Sequence, residues 1–183
     1  MTHELPDTRL IQEAARLAQT NLPPPIYLHS QRTFLLGREY ARAAKIAFEE
    51  EDLLLAALFH DLGLSDAFAD SRRAFPEIGG TLAREFMTER GQAVRGRVLA
   101  EAIDLHMQLF PRWSKGPITG LLQVGAWMDA AKRRANTLDG RRIAEIEAAY
   151  PRNGFKPEFQ SRFRRALGSW RACARLVFPT ARL

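Results

Sequence analysis

The chain has 183 residues, 46% hydrophobic and 26% charged, long enough to bury a sizeable core as one domain and too apolar for intrinsic disorder. Its one cysteine, Cys173, excludes an intramolecular disulfide, and no run approaches the roughly 18 consecutive apolar residues of a membrane span. The formal net charge of +6 is uneven: residues 132–183 hold 13 Lys/Arg against 4 Asp/Glu, whereas residues 1–131 hold 14 against 17.

Asp7 is placed to cap a first helix through about Ala18, with Leu10, Ala14, Leu17 and Ala18 on one side. Pro23-Pro24-Pro25 ends that segment. A second helix is predicted from about Ile26 to Phe48, and it carries His29 and Arg32 three residues apart on one face. The third, about 51–61, is apolar all round from Leu53 to Phe59 and reads as buried on every side, with Gly63 as its stop. Residues 62–75 read as a polar, flexible connection, and Pro76 opens a fourth helix to about Glu89. Gly91 separates that helix from a fifth, about 93–109, closed by Pro111. A sixth, about 117–134, begins at Pro117; Asp139-Gly140 marks a turn before a short helix over about 142–149. Pro151-Arg152-Asn153-Gly154 forms another loop. The last helix is expected from about Pro157 to Phe178, with Phe159, Phe163, Leu167, Trp170, Ala174 and Val177 at three- and four-residue spacing. No alternating strand pattern is present, so the prediction is an all-α, single-domain helical bundle.

The chemistry concentrates in four positions: His29, the adjacent His60-Asp61, and Asp129. An imidazole and a carboxylate side by side at the end of a buried helix are costly without a partner. A divalent cation is such a partner, and the negative end of the helix dipole favours one there. Two imidazoles with two carboxylates form a mixed N/O set suited to Zn²⁺ first, with Fe²⁺ or Mn²⁺ as alternatives. Each residue also has a plainer use. His29 can be satisfied by backbone, His60 and Asp61 can serve as a helix end and a turn, and Asp129 can pair with Arg133 four residues on. His106 shares the apolar face of its helix with Leu99, Ala102 and Ile103, which suits a core histidine as well as a proton carrier. Glu77 either approaches the site or complements the start of its own helix; Arg32 either orients a substrate or ligand carboxylate or makes a surface ion pair.

The order His, His-Asp, Asp resembles the HD-domain superfamily of metal-dependent hydrolases. His29-Ser30-Gln31-Arg32 followed by Phe34 and Gly37 is similar to the opening motif of its cyanamide hydratase-like branch. So are Ala56-Ala57-Leu58-Phe59-His60-Asp61-Leu62-Gly63, Glu77-Ile78-Gly79-Gly80, Ala102-Ile103-Asp104-Leu105-His106, and Leu121 to Ala126 closing on Asp129. Pro76 and Thr81 depart from that branch's usual aromatic and small residues. The blocks run in order over about 26–134, the metal-site core, and leave about 135–183 as a basic helical cover.

The resemblance implies one divalent metal on His29, His60, Asp61 and Asp129, with His106, Arg32 and Glu77 as catalytic candidates. It also implies hydration of cyanamide or a small nitrile by metal-activated water. The alternative is a phosphohydrolase acting on a nucleotide or other phosphomonoester, which needs cations for the phosphate; relatives carry Lys shortly after the dyad where this chain has Leu64, and Arg32, Arg72 and Arg73 could compensate. Residues 62–75 and Phe110 to Trp113 are expected to wall the pocket, with no more than one cation, Arg32, near the metal. A third reading, a binding module whose basic C-terminal part contacts nucleic acid, is less favoured because a solvated Arg-rich cover explains the charge. The expected partner is therefore a small-molecule substrate, with no specific nucleic acid, no membrane, and room for a homo-oligomer. Residues 1–19 hold acidic residues and no signal-length apolar stretch, so a cytoplasmic location is expected.

Overall fold

The computed structural model describes residues 4–70 and 73–167. Eight α-helices occur among them: α1 Arg9–Asn21, α2 Pro24–Ala44, α3 Glu50–Phe59, α4 Phe75–Thr88, α5 Ala93–Leu105, α6 Pro117–Ala131, α7 Gly140–Ala149 and α8 Phe155–Leu167. No strand is present among the described residues, so the all-α expectation holds. Arg72, Trp170, Cys173, Ala174 and Val177 lie outside the described residues.

Local chemistry moved several predicted ends. Thr8, not Asp7, caps α1, its hydroxyl accepting from Ile11 N at 3.2 Å; Asp7 instead accepts from the Gln12 amide. Helix α2 stops at Ala44 rather than Phe48 because Lys45 turns left-handed, with φ 55°. Helix α5 ends four residues early, and His106 occupies its C-cap with Nδ1 against the Ile103 carbonyl at 2.6 Å. The connection after α3 is polar and exposed only in part: Leu62, Gly63, Leu64 and Ser65 are buried, whereas Asp66, Ala67, Ala69 and Arg73 are exposed.

The core wraps α3, whose residues from Leu53 to Phe59 are all buried, as its uniformly apolar sequence requires. Helix α2 packs closely along α6, and α4 along α5. Glycines permit the first approach. A Cβ on Gly125 would lie 2.1 Å from the Thr33 carbonyl oxygen, and one on Gly37 would lie 2.9 Å from that of Leu121. This contact brings His29 and Arg32 of α2 against Asp129 of α6. At the other end, Gly79 of α4 admits the Phe59 carbonyl, 2.5 Å from where a Cβ would stand, and so presses α4 onto the end of α3.

Gly125→Val should therefore destabilise the fold by about 1–3 kcal/mol or more, since the backbone it meets cannot move aside like a side chain. Chemical denaturation read by circular dichroism checks this, and an unchanged midpoint would contradict the close packing. No helix among the described residues is long and apolar enough to cross a membrane.

Candidate metal centre

The buried C-terminal part of α3 delivers His60 and Asp61 at its end, where a short 3-10 turn over Leu62–Leu64 follows. Helix α2 supplies His29 from its second turn. Among the described residues these three offer ligand atoms converging on one point, and all three side chains are buried. His60 Nδ1 donates to the Ala57 carbonyl at 2.7 Å, and His29 Nδ1 donates to Asp129 Oδ2 at 2.6 Å. In the neutral rings both Nε2 atoms are therefore lone pairs, yet they face each other at 3.3 Å. Two acceptors so placed repel unless a proton or a metal cation lies between them.

Asp61 completes the argument. Its Oδ2 stands 3.3 Å from His60 Nε2 and 3.6 Å from His29 Nε2, buried and with no hydrogen-bond partner. Donor atoms held roughly 2.1 Å from one tetrahedral ion stand about 3.4 Å apart. The three separations match that spacing, and the N, N, O donor set suits a divalent transition metal.

The charges are tuned by neighbours. Burial pushes the His29 imidazole below its ordinary value, against the pull of Asp129. Burial also disfavours charge on His60, but the adjacent Asp61 carboxylate outweighs it and raises the group. For Asp61, burial alone would raise the pKa; His60, then His29 and His106, outweigh it and hold the carboxyl at about 2. Asp129 is likewise held well below the usual carboxylate range, burial being outweighed by His29 and Arg32. Burial, with His60 adding to it, drives His106 down to about 3, so this ring is neutral at ordinary pH.

His106 lies beside this trio. Its Nδ1 is occupied by Ile103, its Nε2 points toward Asp61 Oδ1 at 4.0 Å, and its ring meets His60 edge-on at 4.9 Å. It lies outside the converging trio but faces the same space.

Asp129 sits differently from expectation, while Arg32 and Glu77 each take one of the alternatives the sequence offered: Arg32 holds a carboxylate and Glu77 the start of its own helix. Asp129 touches His29, but from the Nδ1 edge, away from the point the other three share. Its partners are Arg32 and Arg152; Arg133, the sequence alternative, lies over the Trp127 ring at 4.8 Å instead. Arg32 is fully buried and committed: Nε and Nη2 go to the two Asp129 oxygens at 2.9 and 3.0 Å, and Nη1 goes to the carbonyls of Tyr150 and Pro151. Four of its five N–H donors are thus taken inside the core, and it does not line the site cavity, so it is not placed to meet substrate. Glu77 stands exposed on the first turn of α4, where it complements the positive helix start, and it does not line the site cavity.

That cavity, about 500 Å³, opens over His29, His60, Asp61 and His106. Its walls are not the expected ones. Leu62 to Ser65 pack into the core, Phe110 is exposed, and Trp113 stacks on Tyr40 at 6.2 Å. Instead, Phe155, Phe159 and Phe163 of α8 form a stack along one side, with ring centroids 5.3 and 5.5 Å apart, and Phe155 lies on the His29 ring at 4.7 Å. Met107 and Trp127 stand among the other lining residues, which include Lys132, Arg152 and Lys156.

These α8 and linker residues were missed in sequence because Phe159 and Phe163 fit a helix face that packs inward. They do face inward, onto a cavity. A usable signal was Phe155 flanked by Arg152 and Lys156, an aromatic between cations just beyond a loop. Among the described residues, part of the remaining basic surplus is spent in ion pairs: Arg142 with Glu39 and Glu145, Arg162 with Glu158 and Asp66, and Arg165 with Asp66.

A family model described as HD domain matches residues 26–145, some two thirds of the chain. No curated protein matches this chain.

Proposed function

The chain belongs to the HD-domain family, and on that premise we propose a metal-dependent hydrolase of a small phosphomonoester, with the ion held by His29, His60 and Asp61. The observation that carries the substrate reading is the meeting of this donor set with three cations around one cavity: Lys132, Arg152 and Lys156. Sequence reasoning allowed at most one cation near the metal, and that one was Arg32. A transferring phosphoryl group needs positive charge on its oxygens beyond that of an ion.

Lys132 pairs with Glu147, and Arg152 bridges Glu147 and Asp129; Lys156 is exposed and has no ion-pair partner among the described residues. Lys156 is thus the first cation available to an anionic substrate. A bound divalent ion supplies Lewis acidity and lowers the pKa of the water it holds toward about 7. Neutral His106 offers its Nε2 lone pair to the same space and can orient a water there by accepting its proton in a hydrogen bond. The Phe155–Phe159–Phe163 stack excludes water from one side and packs the organic part of the substrate.

A second reading, hydration of cyanamide or a small nitrile, is favoured by neutral His106 and the apolar wall. A molecule of a few atoms would occupy little of a 500 Å³ cavity, however. The test is a panel of cyanamide, acetonitrile, 4-nitrophenyl phosphate and nucleoside monophosphates offered to protein loaded with Zn²⁺, Mn²⁺ or Fe²⁺. Release of inorganic phosphate is expected; urea from cyanamide with no phosphate released would reverse the order of the two readings.

Within that assay Lys156→Glu and Phe159→Ala should each raise KM for 4-nitrophenyl phosphate by about tenfold, the equivalent of roughly 1.4 kcal/mol of binding. The effect on kcat should be smaller, because neither side chain belongs to the donor trio. A fall in kcat at constant KM would move these residues out of the substrate-binding role.

A further inference from the structure

Asp61 and Asp129 are both buried carboxylates beside His29, and their surroundings are opposite. Asp61 Oδ2 has no hydrogen-bond partner at all. Asp129 is full: Oδ1 accepts from Arg32 Nε at 2.9 Å and from Arg152 Nη1, while Oδ2 accepts from Arg32 Nη2 at 3.0 Å and from His29 Nδ1 at 2.6 Å. A carboxylate offers about four lone-pair sites, and four donors occupy them.

Position agrees with occupancy. The two nitrogens of an imidazole point away from each other. Asp129 holds the Nδ1 edge of His29, whereas Nε2 faces His60 and Asp61. The arrangement is anchored at both ends. Arg32 also grips the carbonyls of Tyr150 and Pro151, at 3.1 and 3.0 Å, and Gly125 locks α6 against α2. Turning Asp129 toward the ion would break the Arg32 fork inside the core.

We infer that Asp129 is a positioning carboxylate outside the coordination sphere, and that this chain gives its metal three protein ligands: His29, His60 and Asp61. The inference rests on the metal-binding reading above. It departs from the four-ligand set that the resemblance implies for this position. Asp129 holds His29 as the Nδ1–H tautomer, so that Nε2 is free to ligate, and Arg32 in turn holds Asp129. Through Arg152 the same carboxylate ties the start of the substrate wall, residues 150–155, to a metal ligand. Three protein ligands leave positions open for water and substrate, the pattern of catalytic rather than structural sites.

The experiment uses the full chain with Co²⁺ and Zn²⁺ as probes. Wild type, Asp61→Asn and Asp129→Asn are compared by calorimetric titration with Co²⁺ and by the visible absorption of the Co²⁺ form. Asp61→Asn should lose binding by well over 100-fold. Asp129→Asn should lose about 10–100-fold, as outer partners of metal-bound histidines do, and should keep the wild-type absorption bands. Equal losses in the two variants, with altered bands in Asp129→Asn, would overturn the inference and restore Asp129 as a ligand.

Because Asp129→Asn can unsettle folding, the wild-type protein provides a second measurement. In ¹⁵N-histidine NMR of the Zn²⁺ form, His29 should keep its Nδ1 proton, shifted strongly downfield, and bind metal at Nε2. Metallation at Nδ1 would refute the assignment. Failure of wild type to bind either ion would remove the metal reading together with this inference, an outcome distinct from a ligand set that includes Asp129.

Discussion

Arg32→Met should destabilise the protein by roughly 3–5 kcal/mol, the usual cost of leaving one member of a buried ion pair uncompensated. Arg32 and Asp129 are both fully buried, and Asp129 would keep only His29 and Arg152 to balance its charge. The Tyr150 and Pro151 carbonyls would lose their donor as well. In a chain of this size the loss corresponds to a fall of about 6–20 °C in Tm, measurable by calorimetry. Arg32→Lys should fall between, because an ammonium keeps the charge but cannot span both carboxylate oxygens. Pairing Arg32→Met with Asp129→Leu should recover part of the loss, since no orphan charge then remains. An Arg32→Met variant that melts with wild type would mean that the α2–α6 ion pair contributes nothing.

His60→Ala should abolish both metal binding and metal-dependent turnover. His60 Nε2 stands 3.3 Å from both His29 Nε2 and Asp61 Oδ2, so its removal leaves one nitrogen and one oxygen donor. The loss should exceed the roughly 10–100-fold expected for an outer partner. Ligand binding to the folded state raises stability by about 2.7 kcal/mol at 100 times Kd. Wild type should therefore gain Tm on titration with Zn²⁺, while His60→Ala should show no gain over the same range. A metal-dependent rise in Tm for His60→Ala would exclude His60 from the donor set.

The linear sequence by itself carried the elements and the family. Helix α3 is apolar on every side from Leu53 to Phe59, and such a segment has nowhere to go but the centre of a bundle. His60 and Asp61 follow directly, so their burial at its end was legible from position alone. His29 was legible from its motif, and His106 from the apolar face it shares.

What tertiary structure decided is where polar groups point. Whether Asp129 meets His29 at Nδ1 or Nε2 depends on the close approach of α2 and α6 at Gly125, a contact between residues almost a hundred positions apart. Periodicity reports which face of a helix is buried; it does not report what that face meets. Phe159 and Phe163 scored as core for this reason, although they line a cavity. Arg32 looked available to substrate because its partners, Asp129, Tyr150 and Pro151, arrive from other elements. A buried guanidinium is defined by the acceptors packed around it, and those acceptors exist only once the chain has folded.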